Sequence, residues 1–305
     1  MISINKITPY IGAEIRGIDF SKAISPACQK LIYEALIENL VIFFRNTKIS
    51  PQKHLEFSEA FGDLDAPHPV YPYVDGFRKI VKLENNKDNP PDTDAWHTDL
   101  TFKKVQPFAS VLVARSVPKI GGDTLWSSCY RAYDRLSAGM KKDFESIKTI
   151  HDMGDFRNTF AVPKDDQTGE ERLNDGMVRF GHKIRNLIEV HPVSQRKFLN
   201  FNESFVSHII GKTMNDSNSL KMFLTNHMNK PDDQVRWRWK NGDLAMWDNR
   251  ITMHYAIADY MPAYRCMNRV TIINDKRVSD TENFRMGSPD FFYPADHEKY
   301  SHILS

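Results

Sequence analysis

The feature that most limits the fold is a series of short strand-like runs that accumulates from Lys79 onward. They are Ile80-Val81-Lys82-Leu83, Ser110-Val111-Leu112-Val113-Ala114, Lys197-Phe198-Leu199-Asn200-Phe201, Gln234-Val235-Arg236-Trp237-Arg238-Trp239 and residues 265–273. All are rich in β-branched and aromatic side chains. Strands this short cannot bury an apolar face singly, so they must stack as a sandwich or close as a barrel. Helical patterns come before and between them. Ser25-Pro26 and Ser50-Pro51 each supply a capping hydroxyl followed by a proline suited to a first helical turn. The second helix should run to Phe61, with Gly62 placed to end it. Between the two helices, Val41-Ile42-Phe43-Phe44 fits a buried strand. Further helical patterns follow Ser127, over residues 130–147, and lie between Ser217 and Met228. Residues 163–172 and 276–305 are polar and turn-rich, and read as a loop and a tail. Neither an internal repeat nor a low-complexity linker is present. The expectation is one α+β domain over residues 1–305, with a helical insertion near 127–190 and a polar C-terminal tail from about residue 276.

Charge and cysteine content remove several partners. Lys plus Arg number 41 against 39 Asp plus Glu, without a block of five like charges, so no phosphate-tracking surface and no nucleic acid are expected. Cys28, Cys129 and Cys266 are far apart and form no Cys-x-x-Cys pair. That argues against a disulfide framework or a thiolate zinc site and suits a reducing compartment. The opening Met1-Ile2-Ser3-Ile4-Asn5-Lys6 lacks the profile of a secretory signal, and no run approaches about 18 consecutive apolar residues. A cytoplasmic protein with no membrane partner is expected.

His97-Thr98-Asp99 is a candidate metal pair, although frequency alone says little. Eleven His and 39 acidic residues give about 1.4 chance His-x-acid triplets, and two are present. The other, His54-Leu55-Glu56, lies in the helix that starts at Pro51, where residues two apart point to opposite sides. His97 and Asp99 instead follow the breaker-rich Asn89-Pro90-Pro91-Asp92, where the chain must extend or turn. In extended backbone, residues two apart share a face. A third ligand must come from afar, and His254 has the most suggestive setting, between the turn at Asp248-Asn249 and the run that carries Arg265 and Arg269. Two His and a carboxylate leave a six-coordinate ion with three open positions, as in non-haem Fe(II) oxygenases. They also suit a zinc hydrolase.

In Tyr264-Arg265-Cys266-Met267-Asn268-Arg269-Val270-Thr271-Ile272-Ile273, alternation puts Arg265, Met267, Arg269 and Thr271 on one face. Val270 and Ile272 fall on the other, where they can pack. The two guanidiniums lie roughly 13 Å apart along the strand and could hold two different anions around one metal. A zinc hydrolase has no need of that arrangement. The strand alone reads more readily as a solvated face. Gly121-Gly122-Asp123-Thr124 is a tight turn whose glycines permit close backbone approach.

Taken together, several blocks resemble the taurine dioxygenase family of Fe(II)- and 2-oxoglutarate-dependent oxygenases. They include Pro9-Tyr10-Ile11-Gly12-Ala13, His68-Pro69-Val70-Tyr71-Pro72, Trp96-His97-Thr98-Asp99, Gly121-Gly122-Asp123-Thr124-Leu125-Trp126, Trp247-Asp248-Asn249-Arg250 and His254-Tyr255-Ala256. The resemblance runs from about residue 7 to residue 275. It implies a double-stranded β-helix (jelly roll) core with flanking and inserted helices. It implies His97, Asp99 and His254 as ligands of Fe(II), with Arg265 and Thr124 holding 2-oxoglutarate. Arg269 and His68 match positions that grip a sulfonate. Tyr71, Phe160, Phe205 and Trp247 would be pocket walls, although aromatic residues there are more often plain core. Thr93 stands where the taurine-oxidising pattern has an asparagine near the substrate.

The activity implied is O2-dependent hydroxylation of the carbon next to a sulfonate, with succinate and CO2 formed from 2-oxoglutarate. Taurine would yield aminoacetaldehyde and sulfite. Another anion, such as an alkyl sulfate, a different sulfonate or an aryloxy acid, is the alternative. A homo-oligomer is also expected, although no periodic seam identifies a contact face.

Overall fold

The computed structural model describes residues 2–68, 71–91, 95–154, 157 and 166–279. The chain begins with β1 (Ser3–Lys6), β2 (Ala13–Arg16), α1 (Pro26–Asn39), β3 (Val41–Phe44) and α2 (Pro51–Glu59). Next come β4 (Tyr73–Val74), β5 (Phe77–Asn85), β6 (Ala109–Ser116), β7 (Thr124–Ser128), α3 (Cys129–Asp134) and α4 (Ala138–Phe144). Then follow β8 (Lys148–Asp152), α5 (Gly169–Phe180), β9 (His182–Asn186), β10 (Ile188–Val190), β11 (Lys197–Leu199) and β12 (Val206–Ile209). The last part holds α6 (Met214–Met228), β13 (Gln234–Trp237), β14 (Leu244–Asp248), β15 (Thr252–Ala256), β16 (Arg265–Ile272) and α7 (Lys276–Ser279).

The first two helices start as their caps dictate. Ser25 accepts a hydrogen bond from the Cys28 amide and Ser50 one from Lys53, each with proline in the first turn. Gly62 has a different role from the one expected. Helix α2 already stops at Glu59, and a Cβ on Gly62 would lie 1.9 Å from the Asn274 carbonyl oxygen. The residue is small because the chain leaving β16 passes against it. The helical pattern over 130–147 is split in two, because Ser137 adopts an extended conformation and caps a fresh helix through the Met140 amide. The loop expected over 163–172 ends early: Thr168 and Glu171 form a reciprocal capping box that starts α5 at Gly169. Of the expected tail, residues 276–279 form α7 and the remainder lies outside the described residues.

The large sheet has the order β1-β2-β3-β14-β6-β16-β5-β4, and the smaller sheet β13-β7-β15 contributes to the same core. Alternation along the large sheet is strict. Ile42, Phe44, Val111, Val113, Leu244, Met246, Val270 and Ile272 pack with Ile32, Tyr33 and Leu36 of α1 and Phe57 of α2. The alternate residues, Val41, Phe43, Leu112, Ala114, Ala245, Trp247 and Met267, pack with Trp126, Val235, Trp237 and Met253 of the smaller sheet. Both faces are therefore buried, and each such large apolar side chain contributes about 1.5–3 kcal/mol. The result is a mixed α/β structure with its inner core between two sheets. No helix among the described residues is long and apolar enough to cross a membrane.

Candidate active site

Between the two sheets the chain gathers polar side chains that the apolar core would otherwise reject. His254 lies on β15, and residue 97 crosses beside it as an isolated antiparallel bridge. The His97 amide donates to the His254 carbonyl at 3.0 Å, and the His254 amide donates back at 2.8 Å. This reciprocal pairing sets the two imidazoles side by side, with ring centroids 4.0 Å apart. Asp99 follows two residues on, with its Oδ1 3.7 Å from His97 Nε2 and 3.8 Å from His254 Nε2. One donor atom from each residue fits within 4.8 Å of the others, and all three residues are buried. The other triplet cannot do this: His54 is buried, whereas Glu56 faces outward to Lys53 and Gln52.

Protonation suits metal binding. His97 Nδ1 donates to the Ala95 carbonyl at 2.9 Å, which leaves the Nε2 lone pair directed to the cluster. Burial, reinforced by neighbouring His97, drives the His254 pKa well below its ordinary value, so its imidazole is neutral. Burial would push the Asp99 carboxyl up. The Arg269 guanidinium, helped by the Ser110 hydroxyl, outweighs it and holds the group below the usual carboxylate range. A buried carboxylate with two imidazoles is the donor set of a divalent first-row metal with open positions.

The two arginines of β16 lie on its inner face, as alternation predicts, and both line the cavity that contains the three candidate ligands. Around Arg265 the turn at Gly121-Gly122 closes tightly. Gly122 has φ +71° and its carbonyl accepts from Arg265 Nε at 3.3 Å. A Cβ there would lie 3.2–3.3 Å from Tyr260 and Arg265. Thr124 lines the same cavity, and its Oγ1 accepts from Trp239 Nε1 at 2.9 Å, which leaves the hydroxyl proton to be donated elsewhere. Arg269, which matches a sulfonate-gripping position, also meets a candidate ligand. Its Nη1 sits 3.1 and 3.2 Å from the two Asp99 carboxylate oxygens.

The remaining expected residues divide. His68 Nδ1 accepts from the Tyr71 amide at 3.2 Å, and burial, then Arg269, pushes its pKa down to about 3. Tyr71 lines the cavity. Phe205 is buried, edge-on to His97 at 6.5 Å between ring centroids, and belongs to a small cluster with Leu100, Phe102 and Met153. Trp247 is both core and wall, 5.0 Å from the His254 ring and part of the cavity lining. Thr93 and Phe160 lie outside the described residues. Three participants carry no signal of their role in the sequence: Ser110, whose hydroxyl donates to Asp99 Oδ2 at 3.1 Å; Asn249, which bonds the Asp99 backbone; and Trp239. Asn249 follows Asp248 in a block that resembles the family, yet nothing in a single sequence couples it to a residue 150 positions earlier.

The chain is similar to known proteins along most of its length. A family model described as "Taurine catabolism dioxygenase TauD, TfdA family" matches residues 3–271. An alpha-ketoglutarate-dependent sulfate ester dioxygenase of Pseudomonas putida is 33% identical over 279 residues, covering 91% of this chain and 91% of that protein. An alkylsulfatase of Acinetobacter baylyi is 32% identical over 278 residues, covering 90% and 86%. The crystal structure of a taurine dioxygenase from Burkholderia xenovorans superposes with a TM-score of 0.74 at 28% identity, covering 90% and 91%. The zinc-hydrolase alternative thereby falls away. The chain belongs to the TauD, TfdA family and is an Fe(II)- and 2-oxoglutarate-dependent dioxygenase.

Proposed function

We propose that this dioxygenase oxidises the carbon bonded to a sulfur oxyanion group, and that its substrate is an alkyl sulfate ester. The observation that carries the reading is the pair of buried arginines on the inner face of β16, both lining the cavity of the candidate ligands. Two anchors allow two anions to meet at one centre. Arg265 and the Thr124 hydroxyl would bind the distal carboxylate of 2-oxoglutarate, while Arg269 and His68 would bind the sulfo group. His97, Asp99 and His254 would hold the ferrous ion within a jelly-roll core. Bound there with 2-oxoglutarate, iron would supply the O2 activation needed to hydroxylate the substrate carbon.

The residues do the positioning. Neutral His68 offers a hydrogen at Nε2, because its Nδ1 already accepts from Tyr71. Trp247, which lines the cavity, would exclude water from the reacting carbon. A carbon bearing both hydroxyl and sulfate collapses to an aldehyde and free sulfate.

Taurine, suggested by the sequence resemblance and by the name of the family model, is the second reading. It carries an ammonium. Among the described residues lining the metal cavity the carboxylate is Asp99, already engaged by Arg269 and Ser110. Glu84, in the adjoining cleft, is engaged by Lys82 and Tyr264. An uncharged tail suits this lining better, and the two sequence relatives named above, unlike the structural neighbour, act on sulfate esters by name.

Anaerobic enzyme with Fe(II) and 2-oxoglutarate, mixed with hexyl sulfate or taurine and then exposed to O2, separates the readings. The expected result is succinate and sulfate in equal amounts from hexyl sulfate, with little sulfite from taurine. Equimolar succinate and sulfite from taurine alone would establish the second reading. Succinate coupled to neither would reject a sulfur oxyanion substrate.

A further inference from the structure

We infer that Asn249 is a positioning residue that holds Asp99 in place as a metal ligand by clamping its peptide groups. The inference rests on the reading of His97, Asp99 and His254 as the iron ligands.

The two imidazoles and the carboxylate are secured in different ways. His97 and His254 fix each other through reciprocal main-chain hydrogen bonds. Asp99 lies beyond that bridge, and Leu100 after it turns through φ +55°. Its peptide therefore leaves the ladder. Asn249 takes the place of a neighbouring strand. Its Oδ1 accepts from the Asp99 amide at 3.0 Å, and its Nδ2 donates to the Asp99 carbonyl at 2.9 Å. A carboxamide donates and accepts in one plane, as a peptide does, so it can satisfy both groups at once.

Asn249 is itself immobilised. It is fully buried, its amide donates to the Phe108 carbonyl at 2.8 Å, and its carbonyl accepts from Gln106. The turn around it is tied down by Asp248, whose carboxylate accepts from the amide and guanidinium of Arg250 and from His191 Nε2. Arg250 reaches on to Asp275, which also accepts from the Tyr33 hydroxyl. These bonds hold the turn that carries Asn249, and Asn249 in turn holds the main chain of Asp99.

The test is anaerobic Fe(II) titration against a competing chelator, with far-ultraviolet circular dichroism to verify folding. Asn249→Ala should weaken Fe(II) binding about 10- to 100-fold, the usual cost of removing a ligand's support. It should also diminish the visible absorption of the Fe(II)–2-oxoglutarate complex. Asn39→Ala is the structural control. Asn39 is another buried amide, whose side chain donates to the Ala35 carbonyl within α1 and not to a candidate ligand, and its loss should leave iron affinity unchanged. Wild-type affinity in folded Asn249→Ala, or an equal loss in Asn39→Ala, overturns the inference. Should Asn249→Ala not fold, hydrogen exchange on the wild-type holoenzyme decides. Slow exchange of the Asp99 amide, matching that of β16, supports the clamp, and rapid exchange contradicts it. Unchanged iron affinity in Asp99→Ala would instead overturn the ligand assignment, which separates the two failures.

Discussion

The aspartate and its neighbours show how one side chain can be asked to do two things. Arg269 matches a substrate-gripping position, yet its guanidinium bonds both Asp99 oxygens. Removing it should therefore weaken Fe(II) binding as well as substrate binding. Arg265 touches no candidate ligand, and Arg265→Ala should raise the KM for 2-oxoglutarate about 100-fold while sparing iron affinity. Kinetics over both substrates, with iron titration of each variant, would check the contrast. Equal effects on all three quantities would contradict it. Thr124 gives a finer test. Because Trp239 donates to its hydroxyl oxygen, Trp239→Phe frees the hydroxyl to rotate. The KM for 2-oxoglutarate should rise about fivefold, the equivalent of ~1 kcal/mol for one hydrogen bond. The three candidate ligands and both arginines are legible in the sequence because they fall in or beside the segments that resemble the family. Ser110, Asn249 and Trp239 are not, because their roles exist only once distant segments meet.

Strand β16 carries the connection between packing and chemistry. Its period of two sends Arg265 and Arg269 to the cavity and Val270 and Ile272 to the helices. Ile272→Ala should thus cost about 2–5 kcal/mol of stability with little change in either KM. Denaturant unfolding and steady-state kinetics would report this, and a large kinetic change at unaltered stability would be inconsistent with two independent faces. This alternation is legible in the amino-acid order itself, as are the proline-primed starts of α1 and α2. Expectation and fold part where a distant contact or a hidden cap outweighs the local pattern. Gly62 looks like a helix stop, but contact with a chain segment 212 residues away explains it. The box at Thr168 and Glu171 is masked by its polar surroundings, and Ser137 interrupts a periodicity that looks continuous.

At the scale of the whole molecule, the strand order is what no local pattern reveals. β14 lies between β3 and β6, and β16 between β6 and β5, so segments distant in sequence become neighbours. The same compaction traps histidines outside the candidate site. Burial, then Arg115 for His54 and Arg185 for His151, pushes each pKa down to about 3. The unfolded chain protonates histidine near pH 6.5, so between these values it binds more protons than the folded protein. Stability must therefore fall as the pH drops below about 6.5, with each group contributing up to ~1.4 kcal/mol per pH unit. Urea unfolding at pH 7, 6 and 5 would give the slope, and His151→Gln should flatten it by about one proton. An unchanged slope would show that His151 takes up its proton in the folded state.

We propose that His97, Asp99 and His254, separated by up to 157 positions, close around one ferrous ion. Crystals grown anaerobically with Fe(II) and 2-oxoglutarate, measured at the iron absorption edge, test it most directly. The prediction is a single anomalous peak within bonding distance of both Nε2 atoms and the Asp99 carboxylate. A peak elsewhere, or one that leaves any of the three side chains turned away from the metal, would contradict it.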